Sequence, residues 1–265
     1  TDGTHFYYDA GRLSKVTDAQ GAELVYSYDT DASGNVTALW IRKGSTNLKY
    51  APSGNLLGLK ADGILTPSEV MAQVQRTYEG GSGGPYSIDG DFNTAQVASG
   101  SRNFDRSQGS ISFTLYSTQT FPTPQTITEI QYRFYTNGAG WGDYSNNNHA
   151  SGSYSVEYQQ GNGIWLPFPG SQGGMGDTGQ VTKTASISGI TAIRAMASGY
   201  GEGSDHGGCV AAAYIHELQY SLADQSFYAY SNGSFINAAS QTIPVSDYSL
   251  TTPYATKLTP PNPPG

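Results

Sequence analysis

The segment Gly138-Ala-Gly-Trp141-Gly-Asp143-Tyr144-Ser-Asn146-Asn147-Asn148-His149 sets two aromatic rings among amides, a carboxylate and an imidazole, and Gly199-Tyr200-Gly-Glu202-Gly-Ser-Asp205-His206 repeats the mixture. Such sets suit a sugar: rings lie against the C–H faces of a pyranose while Asn and Asp orient its hydroxyls. Trp141, Asp143, Tyr144, Asn147, His149, Tyr200, Glu202, Asp205 and His206 are therefore the candidate ligand-binding residues. A plainer use is open to each, because Trp141 can tuck into the edge of a fold and the asparagines can simply build turns.

A third set, Asp89-Gly-Asp91-Phe-Asn93-Thr94, gathers two carboxylates, an amide and a hydroxyl within six residues. Hard cations prefer oxygen donors of this kind, calcium foremost. The alternative is an Asx turn, in which the Asp side chains accept backbone N–H groups and hold no ion.

Catalysis finds little support. The carboxylates show no spacing that predicts a pair flanking a glycosidic bond, and His5, His149, His206 and His216 lack a metal-ligand spacing. Asp205-His206 with Glu202 and a serine could form a hydrolytic triad, but such combinations arise by chance in a Ser-rich chain. Cys209 follows two glycines and precedes an apolar strand, as a buried small hydrophobe would. The expectation is a protein without catalytic residues.

The elements that must position these groups read as strands. Tyr8-Asp9, Gly11-Arg12-Leu13, Val16-Thr17-Asp18 and Gly21 start again as Tyr28-Asp29, Gly34-Asn35 and Leu39, then fade through Tyr50, Gly54-Asn55-Leu56 and Leu59. Each unit reads as strand, tight turn, strand. Thr66-Pro67-Ser68-Glu69 has the form of a helix start, and Val70, Met71, Val74 and Tyr78 recur at helical spacing, which predicts one helix over 67–79. The run Gly80 to Gly84 then predicts a flexible linker and the main boundary. Strands follow at 110–116, 127–135, 153–158, 182–187, 192–197 and 211–220, the pattern of a two-layer sandwich. Trp165, after Gly163-Ile164, is expected in its core. The organisation expected is repeat hairpins at 1–65, helix and linker at 66–84, sandwich at 85–222, and a strand segment with a Pro-rich tail at 223–265.

Composition agrees with an all-β protein. The 265 residues include 34 glycines and 20 tyrosines, with 37% hydrophobic and 13% charged residues. A net charge of −8 argues against nucleic acid, whose phosphates need a basic face. One cysteine allows no internal disulfide. No apolar run is long enough to span a bilayer, and the Tyr, Ser, Thr and Asn richness is that of an exported bacterial surface protein.

The first 61 residues resemble the YD-repeat, or RHS, family, whose units begin with Tyr-Asp and run through Gly-Arg/Asn-Leu and Val-Thr-Asp to a Tyr-x-Tyr-Asp. A stack needs about three units to bury a continuous core, so two and a half must dock on something. Further on, Asp89-Gly-Asp91-Phe-Asn93-Thr94, Tyr154-Ser-Val-Glu-Tyr158 with Gly163-Ile-Trp165, Ile190-Thr-Ala-Ile-Arg194 and Ala213-Tyr-Ile-His-Glu217 follow in an order that resembles the galactose-binding-like family of discoidin, coagulation-factor C-type and sugar-binding modules. That family often has a Trp soon after the Thr and then an Asp-Leu-Gly strand; Val97 and the 110–116 strand stand there instead. The resemblance implies an antiparallel jelly-roll β-sandwich with a structural calcium held by Asp89, Asp91, Thr94 and Glu217. It also implies a non-enzymatic, extracellular or cell-surface carbohydrate-binding and adhesion module whose partner is a glycan or polysaccharide. Rival readings are a filament subunit that self-associates through repeat strands and the Pro-rich tail, and a polysaccharide-cleaving enzyme.

Overall fold

In the computed structural model, which describes residues 3–103, 109–140, 150–203 and 207–244, the alternating Tyr-, Val- and Thr-rich segments fold as strands. The chain divides into two units, Thr1–Thr66 with Asp224–Gly265, and Pro67–Ala223.

The first unit opens with β1 (His5–Asp9), β2 (Arg12–Thr17), β3 (Glu23–Thr30), β4 (Val36–Lys43), β5 (Thr46–Tyr50) and β6 (Leu56–Lys60), each antiparallel to the next. Three connections share one geometry. In the loops starting at Asp18, Asp31 and Ala51, the first N–H donates to the carbonyl four residues on, and the fourth residue, Gly21, Gly34 or Gly54, donates back to the first carbonyl. Those glycines have φ of 84°, 82° and 87°, a region glycine enters without steric cost. Asp18 Oδ1 also accepts the Gln20 and Ala22 N–H groups, and Asp31 Oδ1 those of Ser33 and Asn35. The repeat is thus a repeat of turn chemistry. One face buries Ile41, Leu48, Tyr50 and Leu59.

The second unit starts with α1 (Pro67–Gln73), which buries Val70. The helix predicted to Glu79 ends at Gln73, because β7 (Gln75–Glu79) pairs with a distant strand and satisfies its edge. Nor is the glycine run a linker. Gly80 and Gly81 lie at φ of 74° and 62°, and a Cβ on them would run into the Thr114 and Val97 carbonyl oxygens, so both lie close against strands of this unit. The boundary expected there falls at residues 66 and 67 instead.

After a single 3-10 turn at Gly84–Ile88 come β8 (Gln96–Asn103), β9 (Gly109–Gly140), β10 (Ala150–Gln159), β11 (Leu166–Pro167), β12 (Gly176–Asp177), β13 (Val181–Gly203) and β14 (Gly208–Leu222). The strands expected at 110–116 and 127–135 are one long strand, and those at 182–187 and 192–197 another. Each serves both layers of an antiparallel sandwich. The first part of β9 lies between β7 and the end of β13, with β10 and β11 beyond; its second part pairs with β12, the start of β13 and β14, with β8 beyond. Between the layers Leu115, Ile130, Phe134, Val156, Ile193 and Ile215 are fully buried.

The chain then returns to the first sheet. Phe227 of β15 (Phe227–Ser231) pairs with Lys60, and the Ala61 N–H donates to the Ser226 carbonyl at 2.9 Å. β6 and β15 are therefore the two arms of one hairpin, with the sandwich inserted in its connection. β16 (Ser234–Asn237) and β17 (Thr242–Pro244) complete a nine-stranded sheet. Asn237 to Gln241 repeats the five-residue loop, with Asn237 Oδ1 accepting the Ala239 and Gln241 N–H groups and Ser240 at φ of 61° where the other copies have glycine. The segment after 223, expected to stand apart, is in its described part the closing portion of the repeat sheet. The Pro-rich tail lies outside the described residues.

Candidate functional site

The turn from Asp89 to Thr94 is built first from itself. Asp89 Oδ1 accepts the Asp91 N–H at 2.9 Å, Asp91 Oδ1 accepts the Asn93 N–H at 2.9 Å, and the Thr94 hydroxyl lies 2.9 Å from Asp89 Oδ2 and 3.0 Å from the Asp91 carbonyl. Gly90 takes φ of 90°. Both Asx turns are therefore present.

Three side chains from the sheet below hold this turn by its backbone. Glu217 Oε2 accepts the Gly90 N–H at 2.9 Å, Arg133 Nη1 donates to the Phe92 carbonyl at 3.1 Å, and His216 Nδ1 lies 3.1 Å from the Thr94 carbonyl, which fixes it as the protonated nitrogen. Glu217 reaches the turn because the register of β14 against β9 slips between Ile215 and Glu217. That bulge turns an acid under the turn.

Glu217 is only 1% exposed. Burial, reinforced by the neighbouring Asp89 carboxylate and opposed by the Gly90 N–H, pushes its carboxyl up to about 7. A carboxyl buried beside another acid ionises only at a cost. A hard divalent ion would resolve that conflict, so Asp89, Glu217, the Thr94 hydroxyl and the Asp91 carbonyl fit calcium by donor type. The Asp91 carboxylate is turned to Asn93 instead. Among the described residues no three His, Cys, Asp or Glu side chains gather as a metal cluster, so a shell here would draw on hydroxyl, carbonyl and water oxygens.

Beside the turn, Arg133 Nε and Nη2 grip both oxygens of Asp177 at 3.2 and 2.8 Å. The guanidinium holds the Asp177 carboxyl down at about 2. Burial and Arg133 together lower His216, so its ring stays neutral at neutral pH. Tyr214 stacks on His216 with centroids 6.0 Å apart, and Tyr135 meets Tyr214 edge-on at 5.3 Å. Sequence reasoning missed Arg133, Tyr135, Asp177, Tyr214 and His216 as a group. The available signal was alternation, since Arg133 and Tyr135 recur on one face of β9 and Tyr214 and His216 neighbour each other two apart on β14.

The strand ends that flank the sugar-suited segments lie together at the other end of β14. Gly140 pairs with Cys209, Asn103 with Gly208, Gly203 with Gly109 and Ala150 with Gly201, so the strand ends flanking residues 104–108, 141–149 and 204–206 converge. Trp141, Asp143, Tyr144, Asn147, His149, Asp205 and His206 lie outside the described residues. Tyr200 and Glu202 are half-buried and bonded to each other, the phenol donating to Glu202 Oε2 at 2.9 Å. Between them and the facing layer no cavity opens, because Gly138, Gly140, Gly199 and Gly201 bring backbone against backbone. Glu217 and Cys209 are eight residues apart on one strand, about 27 Å at strand rise, so turn and loop end are separate places.

Trp165 is not in the core. Its half-buried ring lies 4.1 Å from the Arg194 guanidinium, which also sits over Tyr116 at 4.6 Å and pairs with Glu157 at 2.6 Å. The cation covers the indole face that apolar side chains were expected to cover. Cys209 is fully buried, as expected of it.

No protein-family model and no curated protein matches this sequence. Among solved structures, a pectin-binding carbohydrate-binding module is similar at 14% identity over 56% of this chain and 88% of its own, with a TM-score of 0.32. The module CBM32 of AlyQ, in complex with 4,5-unsaturated mannuronic acid, aligns at 14% identity over 56% and 93%, with a TM-score of 0.31. An F5/8 type C domain from Bacteroides fragilis aligns at 11% over 56% and 91%, with a TM-score of 0.30. No described helix is long and apolar enough to cross a membrane.

Proposed function

We propose that the unit spanning Pro67–Ala223 is a non-catalytic glycan-binding module of the galactose-binding-like kind, carried outside the cell in the connection of a repeat-sheet hairpin. The observation that supports this reading is the convergence of the strand ends at Gly140, Ala150, Gly203 and Gly208, which flank the segments carrying Trp141, Asp143, His149, Asp205 and His206. Calcium at Asp89 and Glu217 would be structural, holding the turn and neutralising the buried acid. The burial of Glu217 beneath the turn supports a structural use of this acid over a catalytic one. Recognition would be by stacking and hydroxyl hydrogen bonds, with modest affinity per copy made useful by many copies on a surface.

A glycan array on the wild-type chain, with Trp141→Ala as control, tests the reading. Binding that Trp141→Ala weakens supports it; an array on which the wild type binds no sugar ends it.

Self-association has one observation in its favour. β1 and β17 are the edges of the nine-stranded sheet, each paired on one side only among the described residues. Concentration-dependent sedimentation supports this second reading, and a monodisperse monomer rejects it.

A further inference from the structure

On the outward face of the second layer the strand register lines up one rung across four strands: Val97 of β8 opposite Tyr214 of β14, Tyr214 opposite Tyr135 of β9, and Tyr135 opposite Asp177 of β12. These residues share a face because Ile215 and Phe134, the next pair along, are both fully buried on the other side. The adjacent rung on the same face is small, Ser99 opposite Ala212 and Ala212 opposite Asn137. By side-chain size alone this stretch of the face is a shallow trough, low at Ala212 and bounded on one side by the two tyrosines, with Phe92 of the clamped turn tied to the same face beyond them through Arg133.

We propose that this trough binds a neutral pyranose chain, with Tyr135 and Tyr214 stacking against the C–H faces of a sugar ring and Asp177 and Asn137 bonding its hydroxyls. The inference rests on the glycan-binding reading above, but places sugar on the outward sheet face, centred on Tyr214 in the middle of β14 and five residues from Cys209, where the loops begin.

Four features support that occupant. Both tyrosines are half-buried, so their rings are braced while one side remains open, and neither phenol is bonded to another described residue. A tyrosine lying edge-on to another, stacked in turn on an imidazole, is a rigid platform that loses little entropy on binding. Asp177 is exposed and stays ionised beside Arg133, so it offers a fixed acceptor to sugar hydroxyls. Charge selects the polymer: Arg133 and Asp177 cancel each other and the whole chain carries −8, which disfavours a uronate or sulfated chain and leaves a neutral one.

The test uses the full chain and a panel of soluble polysaccharides, with galactan, xyloglucan and glucomannan as neutral probes and homogalacturonate and alginate as charged ones, read by calorimetry. At least one neutral polymer should bind, and Tyr135→Ala and Tyr214→Ala should each weaken it roughly tenfold, while the corresponding Phe variants retain most of the affinity. Should an Ala variant melt early, the Tyr135 and Tyr214 ring signals of the wild type are followed by NMR during titration and should shift. The proposal is overturned if neutral binding persists unchanged in both Ala variants and neither ring signal moves, or if the charged polymers alone bind. Loss of binding in Trp141→Ala alone would then leave the loop reading standing, whereas a wild type that binds no probe removes both.

Discussion

Glu217 and Gly90 lie 127 residues apart in sequence, and the carboxyl of one accepts the backbone N–H of the other at 2.9 Å. That bond ties the start of the sandwich unit to its last long strand. It also puts an ionisable group where water does not reach, so the same contact that fixes the turn makes its strength depend on protons and cations.

The first prediction concerns pH. The Glu217 carboxyl titrates at about 7 when folded against an ordinary 4.5, so between those values the folded chain holds a proton that the unfolded chain has released. Stability without divalent ions should therefore be greatest on the acid side of this window and fall as pH rises through it, by at most about 3 kcal/mol. Calcium binds the ionised pair and competes with that proton. Thermal unfolding in chelator and in excess calcium should differ more at about pH 8 than at about pH 5; equal shifts at both values, or none, would remove the ion from the site.

Glu217→Gln separates the acid from its shape. The amide oxygen can still accept the Gly90 N–H, and the amide nitrogen can donate to Asp89 in place of the shared proton. In chelator at neutral pH the variant should melt higher than wild type, by roughly the 1–3 kcal/mol attached to an uncompensated buried acid. It should also lose the response to calcium. A variant that melts lower in chelator would show that the carboxylate is not under strain.

Much of this was legible from local chemistry. The tight turns at Gly21, Gly34 and Gly54 are legible because the bonds that make them span four residues, although the capping roles of Asp18 and Asp31 are not, and strands such as 153–158 are legible because alternation is local too. Pairings between distant segments were not. Helical spacing runs on to Glu79 in the sequence, and nothing near it shows that Gln75 to Glu79 will meet Thr120 to Tyr116. The hairpin formed by Lys60 and Phe227 was hidden by the whole inserted unit, which is why the closing strands read as a separate tail. At the site, Asp89 and Glu217 were linked only by a family resemblance. The rung of Tyr214, Tyr135 and Asp177 escaped, since register across strands is set by bulges that a sequence does not print.

The turns offer a prediction in the other unit. Asp31 accepts N–H groups from Ser33 and Asn35 and the Asn35 side-chain amide, while Ala51 holds the same place in its loop with the same backbone bonds and no side chain to add. Asp31→Ala should cost about 1 kcal/mol and Ala51→Asp should gain about half that or more, read from denaturant unfolding. If Ala51→Asp destabilises, the loops are alike in backbone but not in surroundings.

The narrow end of the sandwich gives the steepest expectation. Gly138 on one layer faces the carbonyl of Tyr200 on the other, and an added Cβ would run into that oxygen and approach the Ser151 carbonyl within 3.0 Å. Both obstacles are backbone in paired strands, so neither can rotate aside as a side chain would. Gly138→Ala must therefore push the layers apart along the rungs that hold Gly199 and Gly201, which are packed against carbonyls in the same way. A loss of more than 2 kcal/mol is expected, at the upper end of overpacking costs. Gly174→Ala is the matched control, for its nearest obstacle is the Gly152 carbonyl at an ordinary 3.7 Å, and it should shift the melting midpoint little. Equal and small effects of the two substitutions would mean that the layers part more easily than their backbone contact implies. The loop ends they carry would then be free to separate, and a ligand surface built across both loops would lose its rigid footing.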